Sequence, residues 1–100
     1  MTAVDAPAGR VRLLTDVRDL AGIVWQAETV ADCVFLRVEV AALASAEKQA
    51  AGAVRTPVLR HLEAAVVHLA RAGRDVSVET GRRLAGECLA AAVAVLEATS

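Results

Sequence analysis

One hundred residues make one domain, large enough for a modest core. The net charge of −1, from 11 basic and 12 acidic residues, offers no basic face of the kind a nucleic acid requires. The apolar fraction is 56% and the aromatic fraction only 2%, so Ala, Val and Leu must build the interior. Small side chains imply thin helical layers that a partner subunit can complete.

Residues 1–12 read as a flexible N-terminal tail, because Pro7 and Gly9 interrupt any helical pattern. Residues 13–100 read as a single helical domain. Thr15 is a candidate N-cap, with Asp16 and Asp19 in the first turn, where acidic groups suit the positive helix end. A long helix is then expected from about Asp16 to Ala51. Its seam is Val17, Leu20, Val24, Ala27, Ala31, Val34, Val38 and Ala41, in alternating steps of three and four. Such a heptad stripe seats one helix on another. Ile23, Trp25, Val30, Phe35, Leu36 and Leu43 lie beside it and widen the apolar band to reach two neighbours. Arg18, Gln26, Glu28, Asp32, Arg37, Glu39 and Glu47 are assigned to the solvated face.

Gly52 ends this rod, and Thr56-Pro57 starts the next helix as N-cap and first helical residue. The short connection folds helix two, about Pro57 to Ala72, antiparallel onto helix one. Its stripe is Val58, Leu62, Ala65, Leu69 and Ala72, and Gly73 ends it. Ser77 or Asp75 caps a third helix from about Val78 to Ala98, with the stripe Leu84, Cys88, Ala91, Val95 and Ala98. A strand at residues 76–78 is rejected for want of a partner. The expected fold is all-α: a long antiparallel helical hairpin plus a third helix, a coiled-coil-like three-helix bundle.

The sequence carries no catalytic motif. His61 and His68 are seven residues apart, roughly 10 Å along a helix, too far to share a metal. Glu28 and Asp32 are neighbours on a helix, but Gln26 and Arg37 accompany them on a solvated face. Arg71, Arg74, Arg82 and Arg83 surround the second turn without aromatic residues for base stacking, so pairing with Glu79 and Glu87 is expected. Cys33 and Cys88 form no motif and behave as small hydrophobes. No run reaches the ~20 apolar residues of a membrane span. The N-terminus lacks a basic region followed by an apolar core, so the expected compartment is the cytoplasm. No cofactor or metal is expected, and the chain is read as a non-enzyme. Trp25 and Phe35, the only aromatic residues, are either core or partner-docking anchors.

Two segments of the long helix are Val24-Trp25-Gln26-Ala27-Glu28-Thr29-Val30 and Asp32-Cys33-Val34-Phe35-Leu36-Arg37-Val38-Glu39, followed by Leu43. The returning helix contains Arg60-His61-Leu62-Glu63-Ala64-Ala65-Val66-Val67-His68-Leu69. Over roughly residues 20–69 the chain resembles the FlgN family of flagellar export chaperones of actinobacteria. That resemblance implies a cytoplasmic secretion chaperone, which holds an amphipathic helix of a hook–filament junction export substrate. The third helix would then supply the contacts, through Leu84, Leu89, Val93 and Leu96, with Trp25 and Phe35 as further partner-binding residues. The competing expectation is a self-associating adaptor module, a homodimer joined through the Val17–Ala41 seam.

Overall fold

The computed structural model describes the backbone of residues 2–99 and the side chains of residues 9–99. Over these residues the chain forms four α-helices: α1 (Thr2–Ile23), α2 (Val30–Ala51), α3 (Pro57–Arg71) and α4 (Val78–Thr99). A single 3-10 turn, Val24–Gln26, follows α1. The all-α expectation holds, and the molecule measures 46 × 24 × 19 Å. The most extensive interface joins α3 to α4, followed by α2 with α3 and α1 with α4. Contact between α1 and α2 is slight.

The single rod expected over residues 16–51 is two helices. The backbone is extended at Ala27 (φ −67°, ψ 126°) and at Thr29 (φ −122°, ψ 163°). A capping box starts α2 there. The Thr29 hydroxyl accepts from the Asp32 amide at 3.1 Å, and the Asp32 carboxylate accepts from the Thr29 amide at 3.1 Å. Arg82 of α4 donates to the Ala27 carbonyl, which the bend has left without a helical partner. The break folds α1 back so that it packs mainly on α4, with Arg10 returning to the far end of α2.

The break also shifts the phase of the buried stripe. Val17, Leu20, Val24 and Ala27 are buried, as the seam requires. On α2 the buried positions are Cys33, Leu36, Val40, Ala44 and Glu47 instead. The second half of the seam, Ala31, Val34, Val38 and Ala41, faces solvent. Cys33, expected beside a stripe, is therefore a core residue.

Glu47 was expected on the solvated face and is 3% exposed. The Arg10 guanidinium contacts both its oxygens, at 2.9 and 3.2 Å, and the Thr56 hydroxyl donates at 2.8 Å. One carboxylate thus ties α1 to the end of α2 and the start of α3. Where a tail to Arg12 was expected, α1 runs from Thr2 through Pro7 and Gly9.

The later boundaries match expectation. Gly52 and Gly73 have positive φ (67° and 79°), as residues past a helix end often do. Thr56 accepts from the Leu59 amide at 3.1 Å, and Ser77 accepts from the Thr80 amide at 3.0 Å. The α3–α4 turn is closed by an isolated bridge between Ala72 and Val76 rather than a strand. Gly81 lets α3 and α4 cross closely, since a Cβ there would lie 2.5 Å from the Ala72 Cβ and 3.1 Å from the His68 carbonyl oxygen.

Candidate protein-docking face

The core explains the inward face of α2, and the opposite face is the unusual one. Ala31, Val34, Phe35, Val38, Ala41, Ala42 and Ser45 are all exposed there, and none carries a charge. Phe35 is 61% exposed and Val38 58%. A solvated helix face is ordinarily polar, and contiguous apolar surface marks a contact site. At 100° per residue, Asp32 and Glu39 border this strip on one side and Arg37 and Lys48 on the other.

Shallow grooves flank the strip. One, of about 550 Å³, lies between α2 (Ala41, Ser45, Lys48) and α3 (Glu63, Val66, Val67). The other, of about 260 Å³, runs beside the bend and is lined by Ile23, Gln26, Ala27, Asp32, Phe35 and Leu36. Ile23, Val30 and Val67, all about half exposed, extend the apolar surface at the edges.

The expected partner-binding residues do not form one site. Leu89 and Leu96 are 0% and 2% exposed and belong to the core. They cannot meet a partner while α4 stays docked on α3, which corrects the expectation that α4 presents them. Leu84 and Val93 are half-buried, and Val93 packs against the core. Trp25 is 50% exposed, with its ring lying over Gly86 of α4, whereas Phe35 faces the groove beside Ile23. Of the six residues, Phe35 alone stands on the α2 strip. Val34, Val38 and Ala41 were assigned to the seam, and their exposure became visible only with the bend.

The titratable groups near the strip serve structure. The amides of Glu28 and Thr29, with the Thr29 hydroxyl, hold the Asp32 carboxyl below the ordinary aspartate range. Burial pushes the Cys33 thiol up, and the Asp32 charge adds to this. Of the Arg cluster at the α3–α4 turn, Arg71 pairs with Asp75 at 3.1 Å and Arg83 with Glu87 at 3.3 Å. Among the described residues no group of three or more His, Cys, Asp or Glu is placed to hold a metal. No helix among them is long and apolar enough to cross a membrane. Compared with protein-family models, with curated proteins and with solved structures, the chain matches none.

Proposed function

We propose that this chain is a non-enzymatic helical binding protein, whose working surface is the uncharged outer face of α2. The observation that supports this reading is the set of exposed, uncharged positions from Ala31 to Ser45, all but Ser45 apolar. An amphipathic helix laid along it would bury Val34, Phe35 and Val38 and fill the grooves on either side. Helix-in-groove recognition uses this spacing of anchors. The resemblance to the flagellar export chaperones suggests a specific form: a cytoplasmic chaperone that holds the terminal amphipathic helix of a hook–filament junction substrate.

The test uses the only Trp in the chain as a reporter. Terminal-helix peptides of junction proteins are titrated against the wild type and against the double variant Val34→Asp, Val38→Asp. Saturable binding by the wild type, lost in the double variant with helix content unchanged, supports the reading. Equal binding by both proteins overturns the α2 face, and no binding by either removes the chaperone form.

A second reading, self-association, is favoured by a separate observation. The exposed positions Ala31, Val34, Val38 and Ala41 keep the heptad spacing of a helix–helix seam.

A further inference from the structure

The bend between α1 and α2 lacks the residues that normally enforce one. Ala27, Glu28 and Thr29 include no Gly and no Pro, and each can be helical. The heptad seam runs through them in register, from Ala27 to Ala31 in a step of four. The bend is held instead by the Thr29–Asp32 box, by Arg82 on the Ala27 carbonyl and by the packing of α1 on α4. In a straight helix the amides satisfied by the box regain backbone carbonyls as partners.

From this we infer that the partner for the exposed α2 seam is a second copy of this chain, reached by exchange of α1. Residues 2–51 straighten into one helix of roughly 75 Å. The α1 of each copy then docks on the α4 of the other. The exchange re-forms between copies every contact that α1 makes with α4, including the 2.7 Å pair of Arg18 with Glu97. Those contacts therefore cancel in the balance between monomer and dimer. The Arg10–Glu47 pair, roughly 55 Å apart along a straight helix, is likewise re-formed between copies. What remains is the loss of the box and of the Arg82 bond to the Ala27 carbonyl against newly buried apolar surface.

The geometry of a straight helix places that surface well. In it, the seam Val17–Ala41 lies roughly 150° around the axis from Cys33, Leu36 and Val40. Those three residues stay on their own α3 while the whole seam turns to the other copy. Val34 and Val38, 45% and 58% exposed in the bent form, are then covered. A short connection between an exchangeable helix and its neighbour is the usual site of such swaps. A net charge of −1 leaves little repulsion between copies. The inference rests on the reading of α2 as a helix-binding face and names its occupant.

Light scattering at rising protein concentration gives the oligomeric state, and cross-linking gives the connectivity. In the variant Arg18→Lys, a zero-length carbodiimide joins the new amine to Glu97. Equal amounts of ¹⁴N and ¹⁵N protein are mixed unfolded, refolded and cross-linked, and the dimer fraction is analysed by mass spectrometry. Exchange predicts a dimer in which half of the 18–97 cross-links carry mixed isotopes. The pair Thr29→Ala, Asp32→Ala, which removes the box, should tighten the dimer at least tenfold. Glu28→Pro costs the bent form the Glu28 amide bond to Asp32 but keeps the Thr29 half of the box, whereas a straight helix cannot accept it; an extended Ala27 precedes it without clash, so it should leave only monomer. Monomer throughout, even with the box removed, overturns the inference, as does a dimer whose cross-links are all of one isotope. Neither result touches the peptide titration, so the docking face and its occupant are judged separately.

Discussion

The Trp25 ring occupies the space a side chain at Gly86 would need: a Cβ there would lie 2.7 Å from its Cζ2 atom. The half-exposed ring is free to swing aside. The backbone of Ala72, which stands 3.0 Å from a Cβ on Gly81, is not. The two glycines of α4 should therefore respond differently to alanine. Gly86→Ala gains about 1 kcal/mol of helix propensity and displaces the ring, leaving stability within about 1 kcal/mol of wild type. Its Trp emission should shift to the red. Gly81→Ala forces α3 and α4 apart and should cost about 1–3 kcal/mol in urea denaturation.

The capping box predicts a pH dependence with a definite sign. The folded carboxyl of Asp32 titrates below its unfolded value, because amides hydrogen-bond to the charged form. Its contribution is complete above the unfolded value and is lost as the pH falls through the folded one. The urea midpoint should decline across that acidic window, and Asp32→Asn should flatten this part of the profile. Thr29→Ala should cost about 1 kcal/mol at neutral pH.

Glu47 is almost fully buried, while its partner Arg10 has a side chain 42% exposed. Arg10→Ala leaves the carboxylate with only the Thr56 hydroxyl and should destabilise by about 1–3 kcal/mol. The cost stays below that of a fully buried pair because solvent already screens the arginine. Glu47→Leu removes the buried charge and replaces it with an apolar group, and should be near neutral or stabilising. Thermal melts of the two variants would separate the value of the charge from the value of the position.

Leu89 and Val34 make a contrasting pair in the opposite sense. Leu89→Ala empties a fully buried site and should cost about 2–5 kcal/mol. Val34→Asp adds a charge on exposed surface and should change stability by less than about 0.5 kcal/mol. If Val34→Asp unfolded the protein, the α2 strip would be core rather than surface.

These contrasts show what periodicity can convey. The α3 boundaries were legible because Thr56-Pro57 and Gly73 are local signals, read without knowledge of the neighbours. The bend at residues 27–29 was also written locally, as Thr29 followed three residues later by Asp32 ahead of an apolar run. The uninterrupted heptad concealed it, since a step of four from Ala27 to Ala31 looks the same across a helix or across a break. Nor does an apolar residue announce which surface it will meet. Leu89 and Phe35 are equally hydrophobic in the sequence, yet one fills the core and the other faces solvent. Glu47 shows the reverse case, a charged residue buried because Arg10 and Thr56, distant in sequence, converge on it.

The close crossing at Gly81 also bears on the order of assembly. Helices α3 and α4 are sequence neighbours with the most extensive interface, so their contacts close over short loops and should form early. Helix α1 must find α4 across most of the chain's length. It should dock last and open first. Amide exchange should accordingly be slowest around Leu62, Leu69, Leu89 and Ala92 and fastest along α1, with Val17 losing protection while α3 and α4 remain closed.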